Sequence, residues 1–278
     1  MRANPVLLKE VRQRFRTVRT PLILSLYLLV IGGLCLAFIF LQWRDMPGYY
    51  QPGMSKGLFI MLSMIQLGLL AFVTPGLTSG AISAEREKQT LSVLLVTRLK
   101  PHSIVLGKLM SSCSFMVLIL LATLPLYNII FMYGGFSPGQ MLAVFAFYLF
   151  NIFLFASVGM ACSSFFRRTG ASTVAAYVVI FVIMAGTVLL SAFIYEVTRV
   201  PGAANVLPVP CQILLDLNPP QTMIRLMGEG VLFGRERDLW APGWLIYTAF
   251  YALLSGLLLW WSSLRLRPGV SAKSTWRQ

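Results

Sequence analysis

The run Glu85-Arg86-Glu87-Lys88 sets two carboxylates and two cations side by side, and Leu91, Leu94 and Leu95 follow as an apolar patch. Mixed charge beside a greasy patch is docking chemistry: charge orients a partner and the leucines bury against it. Ser83 can cap a helix here, and Glu85 falls in its first turn, where negative charge suits the helix dipole. Arg98 and Lys100 stand near the end, before Pro101. A connector that only turned the chain would need fewer residues. The expectation is an amphipathic helix over 83–100 that meets a partner.

The rest of the chain is poorly armed for catalysis. It has no GxxxxGK[ST] loop to cradle nucleotide phosphates, since Gly107-Lys108 runs on into Leu109. His102 is the one histidine and cannot build a metal site or a serine triad alone. Cys35, Cys113, Cys162 and Cys211 form no CxxC pair and read as packing residues, with Cys211 expected to be open to thiol reagents. Asp216, Glu229, Glu236 and Asp238 bring carboxylates into one segment, but without metal-ligand spacing. No catalytic residue, metal site or cofactor is expected on this chain.

The elements that position these groups are membrane spans. Of 278 residues, 57% are hydrophobic and 12% charged, against about 25% charged in soluble domains. Residues 21–41, 58–82, 109–133, 141–166, 171–195 and 242–264 contain no Asp, Glu, Lys or Arg. Each is long enough for a bilayer core, which needs roughly 20 apolar residues per helix. The fold class is an all-α integral membrane protein with six spans, a single domain over 1–278. Thr74-Pro75-Gly76 and Pro125 are kink candidates. Gln66, Asn128 and Asn151 lie at membrane depth, where such groups join helices by hydrogen bonds.

The net charge of +14 is distributed by side. Arg86, Lys88, Arg98 and Lys100 lie between spans two and three, Arg167 and Arg168 between four and five, and further cations flank both termini. Basic residues mark the cytoplasmic face, so both termini are expected there, with 196–241 outside. No nucleic-acid partner is implied. Within the outer segment, Asn218-Pro219-Pro220 can open a short helix ending at Gly228 or Gly230. Before span one, Asn4-Pro5 can start a helix on which Leu8, Val11, Phe15 and Val18 form an apolar stripe. Lys9, Arg12, Arg16 and Arg19 form a basic stripe beside it. Such a helix lies in the headgroup layer.

Two stretches carry a resemblance to a known family. Asn4-Pro5 followed by Leu8-Lys9-Glu10-Val11-Arg12-Gln13-Arg14 resembles the N-terminal elbow helix of type-2 ATP-binding-cassette (ABC) exporter permeases. Gly80-Ala81-Ile82-Ser83-Ala84-Glu85-Arg86-Glu87-Lys88-Gln89-Thr90-Leu91 resembles that family's pattern after span two, with Lys88-Gln89 where a basic and a small residue are common. The likeness extends over nearly the whole chain.

It implies an elbow helix over 1–20 bearing Lys9, Glu10, Arg12, Arg14 and Arg16 at the inner leaflet, against lipid headgroups or the ATPase. It implies a coupling helix, about 84–97, seated on a separate ABC ATPase through Glu85, Arg86, Glu87, Lys88, Leu91, Leu94 and Leu95. ATP and Mg would bind the ATPase, not this chain. A second permease, identical or related, would complete an exporter in a plasma membrane, bacterial by that likeness. Spans two and five would line the path and the outer segment would cap its exit. The competing readings are an ATP-independent carrier or channel, which would place titratable groups along a path, and a membrane-embedded lipid-processing enzyme.

Overall fold

The computed structural model describes residues 19–45, 52–90, 101–132, 136–198, 207–230 and 242–266. The elbow residues Lys9, Glu10, Arg12, Arg14 and Arg16, and Leu91, Leu94 and Leu95, lie outside these residues. Among the described residues every regular element is helical. In chain order they are α1 (Arg19–Asp45), α2 (Pro52–Thr78), α3 (Ser83–Glu87), α4 (Pro101–Ala122) and α5 (Leu124–Met132). There follow α6 (Pro138–Phe165), α7 (Thr169–Phe181), a π-helical turn (Val182–Gly186), α8 (Thr187–Thr198), α9 (Val209–Asp216), α10 (Pro219–Leu226) and α11 (Gly243–Arg265).

Six helical stretches are long and apolar enough to cross a membrane: Leu24–Leu41, Lys56–Glu87, His102–Met132, Pro138–Phe165, Thr169–Thr198 and Gly243–Arg265. All six apolar runs of the sequence are found here. Helix α2 continues through Pro75, whose carbonyl still accepts the Ser79 N–H at 2.8 Å. At Pro125 the expected interruption is real: the chain turns at Thr123, and the proline stands in the first turn of α5.

Helix α6 is the axis of the fold and packs against α2, α4, α7 and α11. Its start is fixed by a capping box: Ser137 Oγ accepts the Gln140 N–H and Gln140 Oε1 accepts the Ser137 N–H. From Leu154 to Ala161 every side chain is buried, as expected for a helix surrounded by others. Polar groups stitch it to its neighbours. Tyr247 donates to Asn151 at 2.6 Å, and Tyr148 donates to the Ser63 carbonyl and meets Tyr127 at 3.0 Å. Asn151 thus joins helices as expected. Gln66 is wholly buried, whereas Asn128 is exposed.

The segment after α8 does not simply overhang the bundle. Helices α9 and α10 form a hairpin that runs back along α8. Ser191 pairs with Cys211, and Asn218 reaches Thr187 and Met184, near the midpoint of the fifth stretch. The Asn218 amide donates to the Met184 carbonyl at 2.7 Å and to Thr187 Oγ1 at 2.8 Å. A π turn breaks the regular i→i−4 ladder, and Asn218 serves a carbonyl within it. Its Oδ1 also caps α10 by accepting the Gln221 N–H, and α10 ends at Gly228 with φ +78°. Both ends match the sequence expectation. Cys211 does not: it is wholly buried against Ser191.

The hairpin carries an ion pair, Arg225 with Asp216, with side chains 16% and 1% exposed. Gly243, the first residue of α11, covers it. A Cβ there would stand 2.5 Å from Arg225 Nη1 and 2.6 Å from Asp216 Oδ1, so only glycine fits without movement. At the hairpin's other end, Glu229 pairs with Lys56 of α2 at 2.7 Å.

Candidate functional site

Glu85, Arg86, Glu87 and Lys88, the described part of the docking set, sit where four helices end or begin: α2, α4, α6 and α7. Three backbone atoms of the turn between α2 and α3 are held by serine hydroxyls, through four hydrogen bonds. Ser172 donates to the Ser79 carbonyl at 2.7 Å and Ser83 donates to the same oxygen at 2.9 Å. Ser163 Oγ accepts the N–H groups of Ile82 and Ser83 at 2.8 and 3.0 Å. A helix N-terminus leaves its first N–H groups without intrahelical partners. Here a serine from another helix supplies the acceptor. Ser83 therefore is not the cap; the residue in that position is Ile82, which has no side-chain acceptor.

This contact requires α2 and α6 to touch backbone to backbone. Gly159 allows it: a Cβ at this position would lie 2.0 Å from Thr78 Oγ1 and 3.3 Å from the Ser79 nitrogen.

From that anchorage, three successive residues of α3 each engage a different neighbour. Glu85 Oε1 takes a charge-assisted bond from Lys108 of α4 at 2.6 Å, with side chains 24% and 6% exposed. Arg86 Nη2 donates to the Ser164 carbonyl in the last turn of α6 at 3.4 Å. Glu87 accepts from the Thr169 N–H at 3.2 Å and from its hydroxyl at 2.5 Å. The Glu87 carboxylate thus covers the N-terminus of α7, whose own N-cap residue, Arg168, makes no side-chain cap. A negative charge is favourable there.

The helix expected over 83–100 is interrupted within its described part, and 91–100 lie outside the described residues. Helix α3 covers only its start. It ends at Glu87. Lys88 is the C-cap and Gln89 adopts φ +56°, the left-handed conformation. The Gln89 N–H bonds to the Arg86 carbonyl and the Thr90 N–H to the Glu85 carbonyl, the pattern of a Schellman stop. The leucine spacing favours a longer helix, but this turn breaks it before Leu91.

The sequence reading singled out Glu85, Arg86, Glu87 and Lys88, and the structure brings the first three into one network. Lys88 is exposed at its edge. The partners in this network, Ser163, Ser164, Lys108 and Thr169, are not evident from the sequence. The available signal was modest: a serine pair closing an apolar run, and one lysine about two helical turns after Pro101. His102 is exposed, and among the described residues no three His, Cys, Asp or Glu side chains gather as metal ligands do.

Six apolar helices, with a polar network clasping four of them at one end and a hairpin folded back at the other, define a multi-pass membrane protein. A family model described as "ABC-2 family transporter protein" matches residues 36–261. The chain belongs to that family and is a permease subunit of an ABC transporter. Members of this family are membrane transport components, generally not catalytic themselves, and in general associate with an ABC ATPase. No curated protein matches the chain.

Proposed function

We propose that this chain is the membrane subunit of an ATP-driven exporter and that α3 is the point where force from a separate ATPase enters the bundle. The observation that carries this reading is the threefold grip of Glu85, Arg86 and Glu87 on α4, α6 and α7. A displacement of the chain just after α3 would pull three spans together rather than bend one loop. Residues 91–100, with Leu91, Leu94 and Leu95, would seat in the ATPase groove, and Lys88 would stand at its rim. ATP and Mg would act on that partner, and the elbow helix would lie against the inner leaflet.

A second permease, identical or related, would complete the pathway. The fifth stretch presents a long apolar face on which Val178, Phe181, Val182, Leu189 and Phe193 are exposed, surface suited to lipid or to a second copy. The termini would be cytoplasmic, the membrane a plasma membrane and the source bacterial.

The test uses the purified complex in proteoliposomes, with ATP hydrolysis and substrate movement measured together. Glu85→Lys with Glu87→Lys should leave the ATPase active while transport falls at least tenfold. Wild-type coupling in that double variant would sink the proposal. Recovery of the chain without any ATPase, from several detergents that preserve its fold, would point instead to an ATP-independent carrier.

A further inference from the structure

Three arginines gather where α6 ends beside the α3 network: Arg86 donates to the Ser164 carbonyl, Arg265 lies over the Phe165 ring, and Arg167 follows Phe165 by two residues. Arg265 closes α11, and its guanidinium lies 4.6 Å from the ring centroids of both Phe165 and Trp261, which stack on each other at 5.9 Å. Arg86 is half-buried against the Ser164 carbonyl and feels the repulsion of both Arg167 and Arg265. The nearby carboxylates are committed elsewhere: Glu85 to Lys108, and Glu87 to Thr169 and the charge of Arg168. Among the described residues, no ion pair involves Arg86, Arg167 or Arg265.

Like charges held together by a fold raise its energy unless an anion joins them. Guanidinium forks match phosphate oxygens bidentately. The surroundings identify the kind of anion. Phe165 is 46% exposed beside Arg265, and it meets Trp261 at the end of two membrane helices, where aromatic side chains meet headgroups. A free phosphate has no use for that apolar rim. A phospholipid has an anionic head for the cations and acyl carbons for the rings.

We propose that Arg86, Arg167 and Arg265 bind the phosphate-bearing headgroup of an anionic phospholipid, with Phe165 and Trp261 packed along its glycerol and upper chains. This site does not depend on the proposed coupling to ATP.

The full-length chain in nonionic detergent is titrated with phosphatidylglycerol or phosphatidylcholine of the same acyl composition, and bound lipid is counted by native mass spectrometry. Wild type should retain phosphatidylglycerol at least tenfold better. Arg167→Gln with Arg265→Gln should abolish the preference while the circular dichroism stays helical. If that variant does not fold, the salt dependence of wild type decides. The preference should collapse in about 0.5 M salt, where charge interactions are screened within a few ångströms, and its survival would overturn the proposal. Equal retention of the two lipids would overturn it too. Full competition by millimolar inorganic phosphate would place a free anion there instead. Unchanged lipid binding in the variant, with loss of a copurifying ATPase, would assign the patch to the protein partner.

Discussion

The Ser163 hydroxyl lies 3.0 Å from the backbone nitrogen of Ser83, a residue 80 positions earlier in the chain. With its second bond to the Ile82 N–H, it starts a helix from outside that helix. The hydroxyl thereby couples the direction of α3 to the position of α6, because neither can shift alone without stranding two donors.

Replacing that hydroxyl should be costly. Ser163→Ala leaves two buried N–H groups without this acceptor, each worth roughly 1 kcal/mol or more. The apparent melting temperature in detergent should fall by several degrees. Ser164→Ala, whose hydroxyl bonds only to the Ala161 carbonyl of its own helix, should change it far less.

The Glu85–Lys108 pair is neither open to water nor fully sealed. Its value should lie between the ~0–1 kcal/mol of exposed pairs and the ~3–5 kcal/mol lost on breaking buried ones. A double-mutant cycle with Glu85→Gln and Lys108→Met should return a coupling energy on the order of 2 kcal/mol from thermal or denaturant unfolding. A coupling near zero would mean that the pair does not hold α3 to α4.

Gln89 pays for its turn. A left-handed residue with a side chain costs roughly 1–2 kcal/mol relative to right-handed backbone, and glycine relieves that strain. Gln89→Gly should therefore raise stability by about 1 kcal/mol while leaving the stop after Glu87 in place. Lower stability would mean that the Gln89 side chain contributes more than its backbone conformation costs.

Topology can be read with introduced cysteines, because the native ones are quiet: Cys35, Cys113 and Cys211 are buried and Cys162 is half-buried. Thr198 and Gln89 are both exposed, at opposite ends of the bundle. With cytoplasmic termini, Thr198→Cys should react with an impermeant maleimide on intact cells. Gln89→Cys should react only after permeabilisation. The reverse pattern would invert the orientation.

The spans were legible because a bilayer imposes a length and a composition that a chain cannot hide. The ends of α10 were legible for a local reason: Asn218 and the prolines start it and Gly228 stops it within eleven residues. What escaped notice was nonlocal or concealed by residue type. Ser163 acts across 80 positions, and nothing in a serine signals an acceptor for another helix. Gln89 carries no mark of a left-handed turn, so the leucine spacing beyond it outweighed the break. The descent of α9 and α10 was hidden because a segment rich in proline and charge resembles a surface loop. Its burial comes from pairing Asp216 with Arg225 and Asn218 with the π turn.

The bond between Asn218 and the π turn has a bearing on wetting. The Met184 carbonyl sits about halfway along an apolar helix, and leaving such a group unpaired in hydrocarbon costs several kcal/mol. The hairpin cannot withdraw and leave a dry gap. Water that followed it in would find the same oxygens to bond, so unlatching Asn218 favours hydration in the middle of the fifth stretch. With the hairpin seated, the Asn218 amide takes the place at these oxygens that a water molecule would otherwise fill, so the bond that joins hairpin to helix also competes with water at that depth.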